Sequence, residues 1–215
     1  MISTHALAAF VALAVVIILL PGPSVLFIVS RALQHGRSAA LMTAVGNTCG
    51  VFIHVVVVAI GIGAIVAASA TAFLILKIAG GGYLILLGVQ AIRHRREGMD
   101  NAAADAVVGV PLKTGALWRE AFVVGVLNPK TIVFLAAVLP QFVDPARGPA
   151  WAQMLVLGLV FNALSVLLDS GYALAASGAR AWFASSPTRV ERMKATGGVM
   201  MAGLGVALLV SRRAA

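Results

Sequence analysis

Leu19-Leu20-Pro21-Gly22-Pro23-Ser24-Val25-Leu26-Phe27 is the stretch of sequence that decides the fold. Apolar residues flank it at 7–20 and 25–33, and together these two runs are long enough to cross a bilayer. Proline lacks an amide hydrogen and clashes with the preceding helical turn, and Pro23 also disfavours helical angles at Gly22. The stretch therefore predicts one membrane helix broken into two halves, with free carbonyls ending the first and free amides beginning the second.

A break of this kind points to a binding site. Unpaired main-chain groups are costly in hydrocarbon unless they are buried in protein or line a watery cavity. Discontinuous helices of this type form the substrate and ion sites of many secondary transporters. The break thus predicts a site at Pro21, Gly22, Pro23 and Ser24, and the alternative is a proline kink that serves packing alone.

The composition is that of an integral membrane protein. Of the 215 residues, 61% are hydrophobic and 11% are charged, whereas soluble domains are nearer half apolar and a quarter charged. The formal net charge of +9 comes from basic residues clustered between apolar runs, which favours positive-inside loops over nucleic-acid binding. The single cysteine, Cys49, excludes a disulfide framework and a multi-thiolate metal site. No cofactor is predicted.

Six apolar segments each have about the length that a bilayer requires. They lie at about 5–33, 38–67, 72–92, 118–141, 150–178 and 195–211. The fourth carries Asn128-Pro129-Lys130 in its interior, much as the first carries Pro21-Gly22-Pro23. The sequence predicts an all-α, six-helix transmembrane protein with a single domain over residues 1–215, in which spans one and four are broken at proline-containing motifs.

The two halves of the chain are similar to each other. A shift of 117 positions places Gly80-Gly81 on Gly197-Gly198, and a shift of 107 places Pro21-Gly22-Pro23 on Asn128-Pro129-Lys130. An odd number of spans in each repeat inverts the second half in the membrane, as in many secondary transporters. We therefore predict two inverted three-helix repeats at about 1–96 and 117–213, joined by a loop at 97–116.

Basic residues set the predicted orientation. Most arginines and lysines lie in the links after spans one, three and five, whereas the opposite side holds Arg147, Arg212 and Arg213. The positive-inside rule then places both termini outside the cytoplasm, although Arg212-Arg213 opposes this assignment.

Few ionisable side chains lie within the spans, and such residues are functional hypotheses by default. Lys130 lies beside the second break, where a buried ammonium needs a carboxylate, a free carbonyl or water. It could receive a substrate carboxylate or only tie down a neighbouring helix. Asp169 shares a helix face with Asn162 and Ser165. It could bind a substrate amino group, carry a coupling proton, or serve as a structural partner for Lys130.

Span two carries a second polar set. His54 shares a helix face with Gly46 and Gly50, and it could relay protons or simply be hydrogen-bonded. Ser24 and the amides after the first break form a positive dipole end suited to an anionic group. The predicted proton-coupling residues are Asp169 and His54. The predicted substrate-binding residues are Pro21, Gly22, Pro23, Ser24, Asn47, Asn128, Pro129, Lys130 and Asn162.

Four motifs occur in order along the chain: Pro21-Gly22-Pro23, Gly46-Asn47-Thr48-Cys49-Gly50, Asn128-Pro129-Lys130 and Leu139-Pro140-Gln141-Phe142. Together they resemble the LysE/RhtB amino-acid exporters. The resemblance implies a six-span bacterial inner-membrane exporter of amino acids or their derivatives, driven by proton antiport. The lysine- and arginine-exporting branch tends to carry acidic residues near the breaks, where this chain has Asn47 and Asn128. The resemblance therefore favours a neutral cargo such as homoserine, threonine or leucine.

Three functions other than amino-acid export are compatible with a helical membrane protein. A channel-like or metal-ion exporter of a related superfamily is the main alternative, but transition metals prefer several Cys, His or acidic ligands. An intramembrane enzyme would need a second acid, or a base placed beside a serine. A structural anchor would not need two interrupted spans. The predicted partners are a small amino-acid substrate and membrane lipids, with no nucleic acid and with homo-oligomerisation left open.

Overall fold

The computed structural model describes residues 2–62, 70–94, 114–179, 181–182 and 186–210. Within these residues every regular element is helical. The helices are α1 (Thr4–Leu19), α2 (Pro23–Val57), α3 (Ala70–Arg93), α4 (Thr114–Val126), α5 (Pro129–Val138), α6 (Ala150–Gly178) and α7 (Pro187–Val210). The predicted loop at 97–116 lies almost wholly outside the described residues. The all-α class is confirmed for the described part, and the single-domain assignment stays a prediction.

The first break lies where the sequence predicts it. α1 begins at Thr4 and is capped by Ser3, whose Oγ accepts a hydrogen bond from the amide of Ala6 at 3.1 Å. It ends at Leu19, and Leu20 has extended backbone angles of φ −68° and ψ 117°. α2 then begins at Pro23, a first helical position where the missing amide hydrogen removes no helical bond.

α2 reverses direction at Gly36, which has a φ of 81° and interrupts the helix. Glycine adopts this left-handed conformation without the steric cost that a Cβ would add. Ser24 Oγ and Asn47 Oδ1 lie 2.7 Å apart, although a straight helix would separate these residues by roughly 34 Å. The arm at 23–35 therefore packs along the arm at 37–57, and the predicted link at 34–37 is confirmed as a turn.

The second break separates α4 from α5. α4 ends at Val126, and α5 begins at Pro129, again with proline at the first helical position. Asn128 caps α5, since its Oδ1 accepts a hydrogen bond from the amide of Lys130 at 3.1 Å. The two helices are bent by 45° at this point. The predicted interruption of span four is therefore confirmed.

Several helices are apolar enough to lie in a membrane. Two helical segments are long and apolar enough to cross a membrane. They are Pro23–Gly61, which contains both arms of α2, and α6. The bent pair Thr114–Val126 and Pro129–Phe142 adds a third if it forms one span, and α1 and parts of α3 and α7 are shorter apolar helices. An integral membrane architecture is thus supported, while six spans and inverted repeats stay predictions.

The last helix begins earlier than the sequence analysis suggests. Its apolar part starts at Ala195, in agreement with the predicted span at 195–211. The helix itself starts at Pro187, roughly two turns before that point. The charged residues in between are therefore the first turns of a helix rather than a link, because proline at a helix start is favourable and charges are tolerated there.

Glycines bring α2 and α4 into close contact. A Cβ at Gly50 would clash with the carbonyl of Phe122, and a Cβ at Gly125 would clash with the carbonyl of Asn47. Gly46 lies against the backbone of Trp118 in the same way. Close approach through small residues is the common mode of helix packing in membranes. It places the second arm of α2 directly beside the helix that leads into the second break.

Glycines also join α3 and α7. Gly81 faces Gly205, and Gly88 faces Gly198, so that a Cβ at any of the four would crowd the opposite backbone. Gly203, on the same helix, has nothing within 4 Å of a built Cβ. The presence of a glycine in a helix therefore does not show that it meets a neighbouring helix.

Candidate functional site

The two breaks meet through Lys130. Its ammonium donates hydrogen bonds to the carbonyl oxygens of Ile17 at 3.1 Å and Leu20 at 2.8 Å. These carbonyls belong to the end of α1, where the Ile17 oxygen also accepts from the amide of Leu20 at 3.3 Å. The end of a helix also carries a partial negative charge that attracts a cation. Lys130 is only 4% exposed, so this contact is made inside the protein.

Gly22 makes room for the lysine side chain. A Cβ built at Gly22 would lie 3.1 Å from Nζ of Lys130 and 3.2 Å from its Cδ. Contacts this short would require the lysine side chain to shift by a few tenths of an ångström. The glycine of the first motif and the lysine of the second are therefore parts of one arrangement.

A chain of buried hydrogen bonds connects the second break to α6. The side-chain amide of Asn128 donates to Ser24 Oγ at 2.6 Å, and the Ser24 hydroxyl donates to Asn47 Oδ1 at 2.7 Å. The amide of Asn47 in turn donates to Asp169 Oδ2 at 3.4 Å. All four side chains are buried. Two helices, α2 and α6, and the cap of a third, α5, thus contribute to one polar network within an apolar bundle.

Lys130 and Asp169 are the charged members of this region. They attract each other electrostatically, but the hydrogen bonds that hold each side chain are made to other groups. A buried charge is tolerated when it has an opposite charge and hydrogen-bond partners nearby. The site therefore offers one positive and one negative group, with uncharged amide and hydroxyl groups between them.

His54 lies at the second break. Its Nε2 is 2.7 Å from the carbonyl oxygen of Val126, the last residue of α4, and so donates a hydrogen bond to it. Its Nδ1 is buried and has no partner among the described residues. His54 thus satisfies a carbonyl at the end of a helix, as Lys130 does at the first break. Its predicted part in proton coupling stays a prediction.

Tyr172 is a residue of the site that the sequence analysis missed. Its hydroxyl donates to the carbonyl oxygen of Leu19 at 2.7 Å, so α6 also binds the end of α1. The signal was present in the sequence, because Tyr172 continues the helical spacing of Asn162, Ser165 and Asp169 by three residues. Tyrosine is less informative than asparagine or aspartate in an apolar span, because its ring is apolar and only its hydroxyl is polar.

The remaining predicted residues lie around this network. Pro21 is buried against Gly197 of α7, whereas Pro23 is exposed and Pro129 is half-buried at the start of α5. Asn162 Oδ1 is buried without a hydrogen-bond partner in the described part of the chain. The predicted residues that the structure brings together are Gly22, Ser24, Asn47, Asn128, Lys130 and Asp169.

The charged groups of the described site are one ammonium, of Lys130, and one carboxylate, of Asp169. Within the described ranges, no group of three or more His, Cys, Asp or Glu side chains is placed to hold a metal. An ammonium and a carboxylate at the two sides of a polar network complement the carboxylate and ammonium of an amino acid. Both breaks contribute, since Ser24 opens α2 and Asn128 caps α5.

Several known proteins are similar to this chain along most of its length. The family model described as LysE type translocator matches residues 15–212. An "Uncharacterized membrane protein" of Vibrio cholerae is 37% identical over 209 residues, which is 97% of this chain and 98% of the relative. The homoserine/homoserine lactone efflux protein of Salmonella typhimurium is 36% identical over 90% of both chains. The threonine efflux protein of Salmonella typhi is 26% identical over 92% of this chain and 94% of its own length. No solved structure matches the chain.

Proposed function

The chain belongs to the LysE type translocator family, and from this membership we propose that it exports amino acids from the cytoplasm across a bacterial inner membrane. Two relatives that it matches along most of their length are named as efflux proteins for amino acids. A transporter family with such members supports transport rather than catalysis. Alternating access at the two broken helices is the mechanism that the arrangement of the site favours.

The observation that carries this proposal is the polar network that joins both breaks. A substrate ammonium would bind the carboxylate of Asp169 and the side-chain oxygen of Asn47. Its carboxylate would face Ser24 and the amides that begin α2, where the helix dipole favours an anion. Lys130 has three donors and uses two of them on Ile17 and Leu20. The third is available to the carboxylate.

The charges of the site favour a neutral cargo. One buried cation and one buried anion balance the two charges of a zwitterion, so an additional basic group on the cargo would need an additional acid. Asn47 and Asn128 are uncharged at the positions nearest the network. Homoserine and threonine, the amino acids in the names of two relatives, have this charge pattern.

Competition for Asp169 explains how export would be coupled to protons. A cargo ammonium and a proton both neutralise the same carboxylate, so binding of one requires release of the other. The carrier would then exchange a cytoplasmic amino acid for an external proton. His54, at the second break, is the further candidate for passing that proton.

The test is transport by the purified protein in proteoliposomes. We expect saturable counterflow of radiolabelled homoserine or threonine, and accumulation when a pH gradient is imposed. Asp169→Asn should abolish the accumulation driven by the gradient, because the substituted amide cannot bind a proton. Asp144→Asn is the matched control, since Asp144 is exposed in a turn away from the site.

Two outcomes would contradict the proposal. Undiminished accumulation by Asp169→Asn would remove Asp169 from the coupling step. A flux that rises without saturation and shows no counterflow would identify a channel instead of a carrier.

A further inference from the structure

The end of α1 has the features of a monovalent cation site. Two carbonyl oxygens, of Ile17 and Leu20, converge on one point, and the helix end adds a partial negative charge. In discontinuous transport helices, unwound carbonyls and half-helix ends of this kind coordinate the coupling cation. Here that point is occupied by the ammonium nitrogen of Lys130.

The lysine side chain reaches the end of α1 across a glycine. It comes from the first turn of α5, and its stem passes over Gly22, where a Cβ would be 3.1 Å from the nitrogen. The third nearby carbonyl, of Leu19, is already bound by Tyr172. The carbonyls of Ile17, Leu19 and Leu20 are therefore all bound by groups of the protein itself.

We propose that Lys130 is a tethered cation, which fills the carbonyl site at the end of α1 in place of a free sodium or potassium ion. The carrier therefore needs neither ion at this position to fold or to transport. Removal of the ammonium should turn the same place into a vacant site for small monovalent cations, and methylammonium matches the missing group best.

A second explanation of the contacts makes a different prediction. If Lys130 serves only as the counter-ion of Asp169, loss of the lysine harms the protein because Asp169 is left without an opposite charge. Asp169→Asn should then relieve that harm. If Lys130 fills a carbonyl site, the double variant Lys130→Ala/Asp169→Asn should still respond to methylammonium.

Thermal unfolding of the purified protein tests the proposal without any cargo, so its result is independent of whether amino acids are exported. Unfolding midpoints are measured in choline, sodium and methylammonium chloride at equal ionic strength. We expect one midpoint for the wild type in all three salts. Lys130→Ala should unfold at a lower temperature in choline, and methylammonium should raise its midpoint in a saturable manner.

Two variants serve as controls in the same salts. Lys130→Met fills a similar volume with an apolar chain and should not respond to methylammonium. Arg37→Ala removes an exposed cation and should behave like the wild type. If Lys130→Ala does not fold in any salt, the double variant Lys130→Ala/Asp169→Asn takes its place, because it leaves no unpaired buried carboxylate, and it must show the same response.

The inference is overturned by either of two results. One is a midpoint of Lys130→Ala, or of Lys130→Ala/Asp169→Asn in its place, that is the same in methylammonium and in choline. The other is a wild-type protein that is stabilised by sodium over choline, which would mean that the site still takes a free ion.

Discussion

Three side chains of the buried network, those of Ser24, Asn47 and Asn128, each take part in two hydrogen bonds. Asn47 accepts from Ser24 and donates to Asp169, while Asn128 accepts from the amide of Lys130 and donates to Ser24. Ser24 is therefore the link between the two asparagines. At each asparagine the side-chain oxygen accepts a hydrogen bond and the side-chain nitrogen donates one. An ionised carboxylate in the same place could only accept. The residue types are thus explained by the direction of the bonds.

Loss of the Ser24 hydroxyl should lower stability measurably. Ser24→Ala would leave Asn47 Oδ1 and the amide of Asn128 without their partner, and an unsatisfied buried polar group costs about 1–3 kcal/mol. We expect the free energy of unfolding to fall by an amount in that range. Chemical denaturation in detergent micelles measures it.

Ser30 provides a matched comparison for this prediction. It is half-buried on the same arm of α2 but lies outside the network. Ser30→Ala should change the unfolding free energy by less than about 0.5 kcal/mol. Equal effects of the two substitutions would show that the network does not stabilise the fold.

The sequence identified most members of the site but not how they pair. Lys130, Asp169 and Asn47 could be named because polar residues in apolar spans are costly and therefore informative. The bond from Lys130 to Ile17 joins residues 113 positions apart, and local spacing gives no information about such a contact. For the same reason the sequence left open whether Lys130 binds a carboxylate, a carbonyl or water.

The two breaks are built in the same way. In each, proline occupies the first position of the second helix, and the preceding residue, Gly22 or Asn128, stands at the cap. A side chain from another helix then binds a carbonyl at the end of the first helix, Lys130 at one break and His54 at the other. The proline rule was enough to locate both breaks. Their bend and their side-chain partners depend on tertiary packing and could not be derived from it.

Helix starts show the same limit. Pro187 begins α7, yet the charged residues that follow it made the segment resemble a link. A hydropathy pattern reports where a helix is apolar, whereas the helix continues beyond that region when its first turns lie outside the hydrocarbon. The apolar start at Ala195 was therefore predictable, and the helical start was not.

Gly50 should be required for the contact between α2 and α4. A methyl group there would overlap the carbonyl of Phe122 and lie 2.7 Å from the amide nitrogen of Val126, and backbone cannot move as a side chain does. Overpacking of this kind costs about 1–3 kcal/mol. We expect Gly50→Ala to lower the unfolding free energy by that amount or more, and to reduce transport because Asn47 lies one turn away.

Gly171 is the control for this substitution. It lies within α6, and nothing approaches a built Cβ within 4 Å. Gly171→Ala should be neutral or should stabilise the protein by up to about 1 kcal/mol, because alanine restricts the unfolded chain. A Gly50→Ala protein as stable as Gly171→Ala would contradict the close packing of α2 and α4. Denaturation of both variants in the same detergent compares them directly.

At the scale of the whole molecule, the contacts of α3 with α7 support a two-fold relation between the halves. Gly81 meets Gly205, and Gly88 meets Gly198. The shift of 117 positions that relates the sequences turns Gly81 into Gly198 and Gly88 into Gly205. Applied to both pairs, the shift exchanges the contact between Gly81 and Gly205 with the contact between Gly88 and Gly198. A reciprocal pair of contacts is what two inverted repeats would produce when their third spans cross.

Inverted repeats and the distribution of basic residues together predict the orientation of the chain. Six spans place both termini on one side, and the positive-inside rule places that side outside the cytoplasm. Alkaline phosphatase is active only outside the cytoplasm, whereas green fluorescent protein is fluorescent inside it. We expect phosphatase fused after Ala215 to be active, and phosphatase inserted at Asp105, in the predicted loop, to be inactive. The fluorescent fusions should give the reverse pattern.

Arg212 and Arg213 make this prediction a demanding one, because they are the basic residues that oppose it. If the links after spans one, three and five determine the orientation, replacing both arginines with alanine should leave the fusion pattern unchanged. If the pair determines it instead, the Ala215 phosphatase fusion of the original chain is inactive, and the substitution activates it. Phosphatase activity at Asp105 in the original chain would invert the whole assignment and place both termini in the cytoplasm.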